Sequence, residues 1–188
     1  MLSSFYVIIA IAMKNLKILL LFVLLLCGCS QKNQDNTNEK LEEYQTYYEI
    51  VTNNARFKEK SENFNIALEM SQIPDGTYRY AIVVDNAQIA MYDVVMIAVE
   101  DDIQFQDAAK MMPSLGIFED TTSLIPGQVN MQQGLAKGLA MSGETDKDTV
   151  HLKILVQYKN AKRTKETREF FSYCLNTEGF TYEDSKKE

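Results

Sequence analysis

The segment Thr149 to Tyr158 constrains the fold more than any other, because Val150, Leu152, Ile154, Val156 and Tyr158 alternate with His151, Lys153 and Gln157. A two-residue period sends successive side chains to opposite faces, so the segment is a β-strand with one face in a core. The same period marks Phe64, Ile66, Leu68 and Met70 and, after the turn residues Pro74-Asp75-Gly76, Tyr78, Tyr80, Ile82 and Val84. Those two runs predict a hairpin. Ile89 to Val99 is apolar on both phases apart from Asp93, the pattern of a central strand covered on both sides. Leu135, Leu139 and Met141 mark another strand, and Arg168 to Leu175 a last one. The middle is less regular. Asp107 to Met112 predicts a helical turn before Pro113 and Leu115 to Phe118 a short strand, whereas Glu119 to Asn130 has no clear period. About seven strands without helix–strand alternation predict a mainly β fold: an antiparallel β-sandwich over 62–176, with an α+β fold built on a curled antiparallel sheet as the alternative.

Ahead of the strands the period is that of a helix. Leu41, Tyr44, Tyr48, Val51 and Ala55 recur at three- and four-residue steps between Glu42, Glu43, Gln45 and Glu49, which predicts one amphipathic helix over 41–57. Its stripe requires a partner: the domain behind it or, in a short coiled coil, a second copy or another protein through Leu41, Tyr44, Tyr48 and Val51. Ser30 to Lys40 contains no apolar residue, so 29–40 is expected to be a disordered tether. Residues 177–188 are expected to be a polar tail.

At the N-terminus, Lys14 and Lys17 precede the apolar run Ile18 to Leu26. As a helix that run reaches about 14 Å, short of a bilayer core of about 30 Å, which suits a secretory signal better than the alternative, a plain transmembrane anchor. The run ends in Leu26-Cys27-Gly28-Cys29, which resembles the lipobox of bacterial lipoproteins. The resemblance implies a signal peptide over 1–28, with 1–12 an extension upstream of a start at Met13. It also implies a diacylglycerol on Cys29 and an exported protein held to the cell membrane outside the cytoplasm. Cys27 is the competing acceptor, but Leu25-Leu26 before it lacks the small residue that cleavage prefers. The strand layout, for its part, resembles the immunoglobulin-like and fibronectin-type-III-like modules of bacterial surface proteins. That likeness is one of architecture, since there is no tryptophan and no cysteine pair in the mature part.

The inventory of reactive groups is short. Removing 1–28 leaves 17 basic against 26 acidic residues, a net charge of −9 that repels phosphates and argues against a nucleic-acid partner. Cys174 would be the one remaining thiol, so no intramolecular disulfide forms, and among Phe170, Phe171, Tyr173 and Leu175 it is expected to be a small buried hydrophobe. His151, the only histidine, lies on the polar phase of its strand and is expected to be solvated. A zinc site would need more ligands than Cys174 supplies. Glu144, Asp146 and Asp148 alternate like the start of a calcium loop but lack its sixth-position glycine and late glutamate, so calcium there is the lesser reading beside a solvated turn. Adjacent acids Asp101-Asp102 and Glu119-Asp120 point apart on a strand and make poor glycosidase pairs. Gly134, Gly138 and Gly143 suit bulges or close strand packing. No catalytic residue, metal or cofactor is expected. The expected function is that of a non-catalytic, membrane-anchored envelope or surface lipoprotein that binds an envelope protein or surface ligand. The alternative is an envelope-polymer hydrolase with a carboxylate pair.

Overall fold

The structure, a computed structural model, describes residues 31–183, with side chains from 36 onward. The signal segment, Cys27, Cys29 and the expected tail beyond Glu183 lie outside the described residues. The chain divides into two units, Met1–Leu41 and Glu42–Glu188. Helix α1 (Gln31–Thr52) begins in the first, where Asn36 to Glu39 are exposed, and ends in the second. It therefore starts inside the segment expected to be a disordered tether. The reason is that Gln, Lys and Glu are good helix formers, and a lack of apolar residues prevents packing rather than helix formation. Its other end comes earlier than the spacing predicts. Thr52 bonds back to the Tyr48 carbonyl at 3.1 Å, and the Asn54 side chain takes the Arg56 carbonyl at 2.6 Å and turns the chain, so Ala55 lies outside the helix and exposed.

In the second unit the strands are β1 (Asn65–Gln72), β2 (Tyr78–Asp85), β3 (Met91–Glu100), β4 (Ser114–Leu115), β5 (Thr122–Leu124), β6 (Leu135–Ala136), β7 (Gly138–Thr145), β8 (Thr149–Lys159), β9 (Glu166–Asn176) and β10 (Gly179–Tyr182). One sheet has the order β1-β2-β7. The other runs β10-β9-β8-β3-β5-β6, with β4 also paired to β3. Every pairing is antiparallel except β5 with β6. The two sheets, β1-β2-β7 and β9-β8-β3-β5, share one apolar core, so strands that follow one another in the chain are divided between the layers. The fold is thus a mainly β sandwich with one helix.

Two apolar layers hold it together. Leu68, Met70, Tyr80, Ile82, Val84, Leu139 and Met141 of the small sheet pack in one core with Met96, Ala98, Leu152, Ile154, Val156, Phe171 and Tyr173 of the large one. On the outer face of the large sheet, Tyr44, Tyr48 and Val51 of α1 close over Val95, Ile97, Val99 and Leu155, joined by Met112 and Ile117. This explains the doubly apolar run in β3. The stripe considered for self-association is consumed here: Tyr44, Tyr48 and Val51 are all but inaccessible, and only Leu41 of that set remains exposed. Satisfying the stripe within the chain costs no association entropy, which is the physical reason this packing prevails.

Two further expectations are corrected. Strand β8 is one-faced only as far as Lys153. Beyond it Leu155 and Gln157 are buried beneath α1, on the face opposite Ile154. The segment after Asn176 is not a tail, since Gly179 turns the chain back and β10 pairs with β9, Phe180 and Tyr182 both meeting Tyr173 edge-on. Polar neighbours hid that pair of alternating aromatics. In the middle, the helical turn lies at Phe105–Asp107, ahead of its expected place, and the short strand is β4, ended by Gly116 in a left-handed conformation.

Candidate functional site

Helix α1 covers the outer face of β3 and β8 only in part, and the open remainder collects the reactive side chains. The β8–β9 ladder makes His151 and Cys174 direct partners and Lys153 and Ser172 the next pair on that face. In the β9–β10 ladder Thr181 is the partner of Cys174. Glu183, two residues on, is fixed by its own amide, which donates to the Ser172 carbonyl at 2.9 Å. Its carboxylate lies 2.8 Å from His151 Nδ1. The turn after β3 closes the site: Asp101 accepts from the His151 amide at 2.9 Å and pairs with Lys147 at 2.5 Å, and Asp102 pairs with Lys153 at 2.6 Å. Lys153 Nζ also sits over the Phe57 ring, 5.4 Å from its centre. Asp101, Asp102, His151, Lys153, Ser172 and Glu183 line a cleft of about 240 Å³.

Cys174 is thus only half-buried and faces away from the sandwich core, contrary to the expectation of a buried hydrophobe. The residues around it are aromatic, but on the opposite phase: Tyr173 and Leu175 take the core. Cys174, His151 and Glu183 stand in the order nucleophile, base and orienting acid. The electrostatics oppose that use. Partial burial pushes the thiol up from its ordinary value, and the negative charges of Glu183 and Asp101 push it further, whereas a nucleophilic cysteine is held down as thiolate by positive surroundings.

The other sequence candidates disperse. Glu144 is taken by Arg79 at 2.6 Å, Asp146 and Asp148 stand exposed in the turn between β7 and β8, and their ligand atoms do not converge as a calcium site needs. Glu119 accepts from the Gly116 amide at 2.7 Å, and Asp101 and Asp102 are tied as above. Asp75 and Glu169 are both held below the ordinary carboxylate range by their hydrogen bonds, the reverse of what a general acid requires. Gly143 does allow close packing, because a Cβ there would overlap the Tyr80 ring. Sequence reasoning missed Glu183. The one signal for it was the period-two phase it shares with Thr181 after Gly179.

At one end of the sandwich a second recess, of about 510 Å³, opens between the β2–β3 loop (Asp85 to Gln88) and the turn from Leu124 to Val129, with Ala136 and Lys137 on its wall. Ile89, Val129 and Met131, on the loops that form this end, are 42, 61 and 70 % exposed. Among the described residues no helix is long and apolar enough to cross a membrane. No protein-family model, no curated protein and no solved structure matches the chain.

Proposed function

We propose that this chain is a membrane-anchored, non-catalytic envelope or surface lipoprotein, held by lipid on Cys29, that acts as a binding or accessory module through the loops at the recessed end of its sandwich. The observation that carries the binding role is that recess, with exposed Val129 on its wall and exposed Ile89 and Met131 next to its lining segments in the chain, since exposed large apolar side chains on loops carried by a rigid sandwich are what a protein ligand buries. Anchoring rests on the lipobox-like Leu26-Cys27-Gly28-Cys29. The net charge of −9 after residue 28 makes acyl chains, not basic residues, the means of membrane contact.

Two measurements test the reading. In cells fed a tagged fatty acid, Cys29→Ser should lose the label and Cys27→Ser keep it; the reverse pattern places the lipid on Cys27, and no label on either rejects the anchor. A photo-crosslinking residue at Val129 should capture a discrete envelope component, and one at exposed Glu42 on α1 should not. Equal capture from both positions rejects the loop end as the binding surface.

A further inference from the structure

We infer that His151, Cys174 and Glu183 form a binding site for a divalent transition-metal cation of the zinc class, with water as the fourth ligand. One imidazole nitrogen, the thiol sulfur and a carboxylate oxygen lie within 4.8 Å of one another, and among the described residues this is the only such convergence of three His, Cys, Asp or Glu side chains. The inference goes beyond the binding role proposed above and uses none of the residues of the recessed end.

Three features argue for a metal and not a chance surface pair. The first is placement. His151 and Cys174 are held opposite each other by the β8–β9 ladder, and Glu183 is held by the hydrogen bond that its amide donates to the Ser172 carbonyl, so three separate segments deliver one donor each. Bond lengths near zinc of about 2.0–2.2 Å to nitrogen and oxygen and about 2.3 Å to sulfur put tetrahedral ligand atoms roughly 3.3–3.6 Å apart. The 2.8 Å between His151 and Glu183 reaches that separation by a small rotation of side chains that are 55 and 39 % exposed. The second is donor type. Thiolate with imidazole selects zinc and its borderline or softer neighbours, not calcium or magnesium, which take oxygen cages. The third is charge. Once the metal displaces the thiol proton, the Cys174 thiolate and one carboxylate neutralise a dication, and the supporting contacts are in place: Asp101 holds the His151 amide, and the cleft of about 240 Å³ lined by His151 and Glu183 leaves room for water beside them.

The test uses the full chain in detergent, with Cys27→Ser and Cys29→Ser so that Cys174 is the only thiol. Calorimetric titration with Zn²⁺ alone should show one ion per chain. Titration with Co²⁺ alone should give the near-ultraviolet absorption of a cobalt–thiolate bond. His151→Ala, Cys174→Ser and Glu183→Gln should each weaken zinc binding at least about tenfold, and Cys174→Ser should abolish the cobalt absorption. The inference is overturned by an absence of saturable Zn²⁺ binding, by variants that bind like the parent, or by a cobalt spectrum without thiolate absorption. Circular dichroism of the metal-free variants checks their fold. Should Cys174→Ser unfold, the cobalt spectrum of the parent and the affinities of the His151 and Glu183 variants still decide the matter.

Discussion

The Tyr44 hydroxyl serves Met112 twice, accepting from its amide at 2.7 Å and donating toward its carbonyl at 3.2 Å. Met112 is buried, so one phenol satisfies both main-chain groups of a residue cut off from water and ties α1 to the crossover after β3. Tyr48 adds a second tie, donating to the Ile103 carbonyl at 2.6 Å. Tyr44→Phe keeps the ring and strands both Met112 groups. It should cost about 1–3 kcal/mol in denaturant unfolding. A loss below about 0.5 kcal/mol would mean that water replaces the phenol.

Gly143 and Tyr80 should behave as one unit. The Tyr80 hydroxyl donates to the buried Glu100 carboxylate at 2.6 Å, and Lys110 reaches the same oxygen at 3.0 Å, so the ring cannot move aside without breaking a buried polar contact. Gly143→Ala should therefore destabilise by about 2–3 kcal/mol, near the upper end of overpacking costs. In the Tyr80→Leu background the same change should cost much less. Additive effects in the double-mutant cycle would show that the ring is not what the new methyl meets.

Acid should weaken the seam between β9 and the segment leading into β1. Glu169 is 1 % exposed; burial alone would raise its pKa, but hydrogen bonds from Lys58 (2.9 Å), Asn63 (3.1 Å) and Tyr158 (3.0 Å), with the Lys58 charge, outweigh that and hold it below the ordinary 4.5. The folded chain then binds fewer protons than the unfolded one. Its stabilisation is complete above the unfolded value and is lost as pH falls through the lowered folded value. Denaturant midpoints between pH 7 and pH 3 should fall less steeply for Glu169→Gln than for the parent. Parallel curves would remove Glu169 as the source.

Neighbouring substitutions in β8 should separate the two apolar layers. Ile154 lies in the sandwich core and Leu155 beneath α1, both fully buried, so aspartate at either position should cost at least about 3 kcal/mol. Lys153→Asp loses a partly buried pair with Asp102 and the contact with Phe57, and should cost about 1–2 kcal/mol. Thermal melts rank the three. A mild Leu155→Asp would mean that α1 detaches readily from the sheet.

What the sequence determined by itself was local. Alternation at Phe64 to Met70, Tyr78 to Val84 and Val150 to Tyr158, the doubly apolar run before Val99 and the tyrosine stripe of α1 each report how one element meets a core, because the period of side-chain direction belongs to the element. Those signals were enough for a mainly β sandwich with one helix. Tertiary structure decided what depends on distant segments meeting. Nothing near Leu155 announces that α1 will cover it, and nothing near Cys174 says that its face lies beyond the reach of that helix. His151, Cys174 and Glu183 are separated by 23 and 9 positions in the chain and become neighbours only because β8, β9 and β10 are laid side by side in register. Register is fixed by the whole buried face, in which Leu152, Ile154, Phe171 and Tyr173 must point inward together, so the outward-facing cluster is a by-product of core packing that no local pattern encodes.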